Sequence, residues 1–125
     1  MTNDWKQYPP TEEQEQKALV EWMELVGIKY CHVPNEGKHK VQYLRKQALL
    51  GVKAGIPDIL VFTAPPKAPK ARGVAIEMKR RKGGRLSKNQ LYWLEELKKH
   101  GWLAVCCAGA DEAIKFLQSY GYGRR

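Results

Sequence analysis

Apolar residues at positions 19, 22, 23 and 26 recur at the spacing of one helix face. They predict a helix from about Glu12 to Val26. Thr11 followed by Gln14 forms the capping-box signature at its start, and Gly27 supplies its stop. Ile28 to Val33 reads as a short strand, closed by the turn cluster Pro34-Asn35-Glu36-Gly37. Lys40 to Leu50 predicts a second, basic helix ending at Gly51. Ile59-Leu60-Val61-Phe62 is an apolar run of strand formers. Residues 64–73, with three prolines and no apolar period, predict a loop. Strict alternation follows in Val74 to Lys79: Val74, Ile76 and Met78 share one face, and Ala75, Glu77 and Lys79 the other. Arg80 to Arg85 is a basic, glycine-containing loop. Ser87 with Gln90 repeats the capping box, and Leu91, Leu94 and Leu97 form the stripe of a third helix ending near His100-Gly101. Trp102 to Cys107 reads as a buried strand. Asp111 to Ser119 is a final amphipathic helix, with Ile114 and Leu117 inward and Gly121 as its stop.

The resulting order is α-β-α-β-β-α-β-α. Helices alternating with largely buried strands predict an α/β sandwich around a central mixed sheet. The 125 residues suit one domain, 1–125, with a polar arm over 1–10 and a frayed tail over 121–125. No internal repeat is present.

Charge changes the picture from a generic fold to a surface with a partner. The net charge is +9, with acids gathered at the start (Asp4, Glu12, Glu13, Glu15, Glu21, Glu24) and bases in the middle. From Gly37 to Lys88 there are fourteen Lys/Arg and two carboxylates, Asp58 and Glu77. Such asymmetry points to nucleic acid or an anionic membrane, with a solubilising surface as the bland alternative. No apolar run approaches the roughly 20 residues of a membrane span, and no signal-peptide pattern opens the chain. Cys31, Cys106 and Cys107 are odd in number and lack CxxC spacing. They read as thiols in a reducing cytosol rather than zinc ligands or disulfides. Trp5, Trp22, Trp93 and Trp102 fall in the arm, helices and a strand, where core or interface roles are expected.

The two acids carry the candidate chemistry. Asp58 precedes or opens one strand, and Glu77 lies near the end of the next. If those strands pair as a hairpin, the carboxylates converge as hard oxygen ligands suited to Mg²⁺ or Mn²⁺. Without a cation they repel, so the arrangement implies a metal or a raised pKa. Lys79 projects from the same face as Glu77, where an ammonium can orient a water and offset charge building on a phosphate. The plainer alternative makes Asp58 a turn cap and Glu77–Lys79 a same-face salt bridge. A His32, Asn35, His39 metal site is disfavoured by its spacing, and Gly37-Lys38 lacks the remainder of a P-loop, so no nucleotide cofactor is expected.

Pro57-Asp58, eighteen residues, then Glu77-Met78-Lys79 resembles the PD-(D/E)xK nuclease superfamily. Pro34-Asn35-Glu36-Gly37-Lys38, Gly51-Val52-Lys53-Ala54-Gly55-Ile56-Pro57-Asp58, Ile76-Glu77-Met78-Lys79 and Gly84-Arg85-Leu86-Ser87-x-x-Gln90 narrow the resemblance to the small stand-alone VRR-NUC (virus-type replication-repair nuclease) proteins of phages and bacteria. It spans roughly residues 11–118. The resemblance implies a restriction-endonuclease-like sandwich and a Mg²⁺- or Mn²⁺-dependent DNA endonuclease. It further implies a homodimer similar to Holliday-junction resolvases, acting in replication, recombination or repair.

By the same resemblance Asp58, Glu77, Glu12 and the backbone carbonyl of Met78 hold the metal, Lys79 positions the water and Gln90 orients ligands or substrate. A helix-1 glutamate four residues before a glutamine looks like Glu12 with Gln16. Periodicity alone leaves Glu15 open, because it lines up with Leu19, Trp22 and Val26. Gln90 has two readings, an active-site residue or a capping residue bonded back to Ser87. Lys38, His39, Lys40, Arg80, Arg81, Lys82, Arg85 and Lys88 are the expected phosphate contacts, with His39 also readable as a helix-start residue. A basic, non-catalytic DNA-binding subunit of a phage replication assembly is the rival reading.

Overall fold

Thr11 and Gln14 begin the first helix by capping each other. The Thr11 amide donates to the Gln14 side chain (2.9 Å) and the Gln14 amide donates to the Thr11 hydroxyl (3.1 Å). In the computed structural model, which describes residues 8–34 and 40–123, this helix, α1, spans Glu12–Val26 and ends at Gly27 with φ 77°. It is followed by β1 (Tyr30–His32), α2 (Val41–Leu49), β2 (Ile59–Val61), β3 (Val74–Lys79), α3 (Lys88–Lys99), β4 (Leu103–Ala108) and α4 (Ala110–Ser119). The α/β class and the element order match the sequence pattern.

The four strands form one mixed sheet in the order β1-β2-β3-β4. β1–β2, with α2 between them in the chain, and β2–β3 are antiparallel pairs. β3 and β4 are parallel, joined by the α3 crossover. Alternation along β3 divides the interior. Val74, Ile76 and Met78 pack with Leu19 and Met23 of α1 and Ala113 and Leu117 of α4. Ala75, on the opposite face, packs with Leu94 of α3 and Ala104 of β4. Each large aliphatic side chain buried in this way contributes roughly 1.5–3 kcal/mol. That packing outweighs intrinsic propensity in holding helices of 10 to 15 residues in place.

α2 is the exception. None of its nine residues is buried, and Val41, Leu44, Leu49 and the following Leu50 lie exposed. β4 is an edge strand, so Leu103, Val105 and Cys106 are half-buried rather than fully enclosed as the apolar run suggests. The expected frayed tail is corrected as far as Gly123. Tyr122 is 3% exposed, and its hydroxyl donates to the Thr63 carbonyl. Burial of an aromatic ring outweighs chain-end fraying here. Arg124 and Arg125, Trp5 with most of the N-terminal arm, and the 35–39 turn lie outside the described residues.

Candidate metal centre

The β2–β3 register builds the acidic pair. Ile59 stands opposite Ile76, so the next position along each strand sets Asp58 opposite Glu77. The two acids therefore meet at one end of two interior strands. Asp58 is fixed on both its side chain and its backbone. Its Oδ2 accepts from the Met78 amide at 2.7 Å, and its carbonyl accepts from the Val33 amide at 2.7 Å. The loop that delivers it passes close over the start of α3. At Gly55, φ is +90°, and a Cβ there would stand 2.6 Å from the Asn89 backbone. Only glycine fits both the conformation and the approach.

α1 brings a third acid. Oxygens of Glu12, Asp58 and Glu77 all lie within 4.8 Å of one another, with Asp58 and Glu77 buried and Glu12 exposed. Burial, a hydrogen bond and charge repulsion from Asp58, and the more distant Glu12 push the Glu77 carboxyl up from 4.5 to about 9, against a lowering influence from Lys79. Lys79 Nζ lies 3.9 Å from Glu77 Oε2, its side chain 13% exposed. One half-buried ammonium facing three converging acids leaves an excess of negative charge. A hard divalent cation fits that donor set. Gly84 lies against the stem of Lys79, where an added Cβ would come within 2.8 Å of the lysine Cβ.

Glu15, the alternative acid on α1, is employed elsewhere. It is 2% exposed and accepts from Arg81 Nε (2.6 Å), Arg81 Nη2 (3.4 Å) and the Ala110 amide (3.1 Å). The carboxylate sits at the first amide of α4, where the helix dipole favours it. Arg81 also reaches Asp111 at 3.6 Å. The Arg81 guanidinium, expected at phosphate, joins α1, the loop after β3 and α4 through these two carboxylates. The signal for Glu15 was an acid inside the stripe Leu19, Trp22, Val26.

Gln90 caps α3. Its Oε1 accepts from the Ser87 amide at 2.9 Å, and its own amide donates to the Ser87 hydroxyl at 3.1 Å. The capping reading of its side chain is therefore the one seen here. His32 is a link that the sequence did not reveal. Its Nδ1 lies 2.9 Å from the Asp58 carbonyl and 3.1 Å from the Gln16 amide nitrogen, and its tautomer selects between them: a protonated Nδ1 donates to the carbonyl, an unprotonated one accepts from Gln16.

Of the other expected cations, Arg80, Lys82, Arg85, Lys88 and Lys40 are exposed. Arg80, Lys82 and Arg85 line a cleft of about 430 Å³ together with Pro10, Glu12 and Lys79. Lys38 and His39 lie outside the described residues. No described helix is long and apolar enough to cross a membrane.

The profile of the VRR-NUC domain family matches residues 10–111. A solved structure described as a VRR_NUC domain protein has a TM-score of 0.74 at 27% identity, covering 89% of this chain and 88% of that one. A second, described as VRR_NUC domain, has a TM-score of 0.58 at 20% identity, covering 89% and 99%. At that identity the second likeness concerns the fold alone. No curated protein matches the chain.

Proposed function

Because the chain belongs to the VRR-NUC domain family, whose fold is of nuclease type, we propose that it is a metal-dependent DNA endonuclease hydrolysing phosphodiester bonds. We further propose that it works as a homodimer on branched DNA, in replication, recombination or repair. The observation that carries the reading is the convergence of Glu12, Asp58 and Glu77 within 4.8 Å, beside Lys79 and a cleft lined by Arg80, Lys82 and Arg85.

Asp58, Glu77 and Glu12, with the carbonyl of Met78, would hold Mg²⁺ or Mn²⁺. When bound, such an ion supplies Lewis-acid polarisation of the phosphoryl group and lowers the pKa of a water. Glu77 would hold the ion as a carboxylate, without the proton that burial beside Asp58 otherwise keeps on it. Lys79, aimed at the same point and backed by Gly84, offsets charge developing on the phosphate. Arg80, Lys82 and Arg85 hold the flanking phosphates without reading bases. Gln90 stabilises the start of α3 beneath the Asp58 loop.

The test is cleavage of plasmid and synthetic junction DNA by purified protein with Mg²⁺, Mn²⁺ or EDTA. Asp58→Asn and Glu77→Gln should each abolish cleavage while the protein stays folded, because an amide oxygen can still accept the Met78 N–H that Asp58 holds. Asp58→Asn should bind DNA as well as the parent or better, having lost a negative charge that faces phosphate, whereas Glu77→Gln replaces a carboxyl that keeps its proton up to about 9 and should leave metal-free DNA binding unchanged. Cleavage near the parental rate by either variant would overturn the assignment.

A further inference from the structure

A second basic cleft lies at the opposite end of the sheet from the acids. We propose that it is a second nucleic-acid backbone site, which seats a phosphate tract separate from the one at the metal centre. The cleft is open, about 810 Å³, and is lined by Lys70, Ala71, Arg72, Lys99, His100 and Gly101. Lys70 and Arg72 are exposed, and among the described residues neither has an ion-pair partner. Lys99 and His100 share Glu96, at 3.3 and 3.9 Å. The cleft therefore presents two uncommitted cations and a third that is partly neutralised.

The wall is built rather than loose. The Arg72 amide donates to the Gly101 carbonyl, Lys67 to that of Tyr120, Ala71 to that of Ala68 and Ala68 to that of Pro65. These bonds fix the backbone of the proline-containing loop onto the α3–β4 turn and the end of α4, so the cations project from an ordered wall. Arg72 precedes β3, whereas Lys79 ends it. At roughly 3.3 Å per residue the two ends stand about 20 Å apart. At about 3.4 Å per phosphate along a strand, that span is on the order of six nucleotides, too far for one phosphate contact to serve both. A branched substrate, with backbone leaving the cut point in more than one direction, presents phosphate to both ends. This inference rests on the nuclease reading for its choice of ligand.

The test is fluorescence anisotropy of a labelled four-way junction in EDTA over a range of salt. EDTA prevents metal-dependent cleavage, so the result is independent of whether the protein is catalytic. All substituted residues are exposed, and thermal melts check that folding is intact. Lys70→Ala/Arg72→Ala should flatten the dependence of log K on log salt by about 0.9 per lost phosphate contact. Arg80→Ala/Lys82→Ala should lose its own increment, and the combined variant the sum of both. An unchanged slope in the first variant overturns the proposal, as does a combined loss no larger than either alone. Binding to phosphatidylserine vesicles that the first variant loses, with its junction slope intact, reassigns the cleft to a lipid surface and also overturns the proposal.

Discussion

Glu77 is where burial and charge conflict most sharply, and metal-free protein should report that conflict as pH-dependent stability. A carboxyl raised from 4.5 to about 9 holds its proton longer in the folded state than in the unfolded chain. Between those values the folded state binds more protons, so stability falls as pH rises. The contribution is complete below about 4.5 and is lost as pH climbs through about 9. One such group contributes at most about 1.4 kcal/mol per pH unit. Glu77→Gln removes the titration. Urea denaturation in EDTA across this range should therefore show the variant gaining on the parent as pH rises, and superimposable profiles would refute the idea. Lys79 is tested differently. Lys79→Ala should slow cleavage by a factor of about 10² or more, the scale of losing a positioned charge-stabilising group. Its affinity for the metal should not fall, because it leaves the carboxylates less neutralised. If calorimetry finds weakened metal binding with normal chemistry at saturation, Lys79 is structural. Glu15 makes a third case. Glu15→Gln removes the buried anion beside Arg81, leaving the exposed Asp111, and weakens the acceptor at the Ala110 amide. A loss of roughly 1–3 kcal/mol in unfolding free energy is expected, and an unchanged denaturation midpoint would mean that the clamp does not hold α1.

The loop from Arg80 to Arg85 separates cations that look alike in sequence. Arg81 is tied to Glu15 and Asp111, whereas Arg80, Lys82 and Arg85 line the cleft at the acids. Arg80→Ala/Lys82→Ala/Arg85→Ala should weaken DNA binding across all sequences and flatten its salt slope by roughly 0.7–0.9 per lost contact. Arg81→Ala should act mainly on stability. The reverse pattern in salt titrations and melts would contradict this division. The same loop shows what the chain makes legible. The period of two in Val74 to Lys79 placed Glu77 and Lys79 on one face, and the capping boxes at Thr11 and Ser87 placed two helix starts, because both signals are local. Asp58 and Glu77 converge as the hairpin reading required, since antiparallel register follows from which strand faces are buried. The Arg81–Glu15 pair joins residues 66 apart, and periodicity carries no information on such partners. An acid on a buried helix stripe was visible, but its partner was not. Gln90 was ambiguous for a related reason: a capping box fixes its backbone neighbours, while its use by a ligand depends on which loop packs on α3. Proximity alone decides that, through the Gly55 approach to Asn89.

At the scale of the whole molecule, α2 has no core of its own. A nine-residue helix with none of its residues buried gains little from packing, and helices that short are marginal in water. Its apolar residues are nonetheless displayed: Leu49 is 89% exposed, Leu50 70% and Val41 63%. We propose that these exposed aliphatics belong to an interface. They favour α2, rather than the half-covered β4 segment, as the face for a second copy. On the proposed nuclease reading, one domain with one acidic centre would cut one strand at a time, and a two-fold pair of centres would suit the paired strands of a four-way junction. Light scattering at micromolar concentration should give about twice the 14.3 kDa chain mass, and paired nicks should appear across a synthetic junction. Leu49→Glu/Leu50→Glu should shift the mass toward that of the single chain and uncouple the two nicks, because four buried carboxylates across such an interface have no partners. Each single cut should persist, since α2 contributes no side chain to the acidic cluster. A dimer that survives the double substitution would move the interface elsewhere. A parental protein that is monomeric and cuts linear duplex and junction at equal rates would remove both the dimer and its preference, leaving a general nicking nuclease.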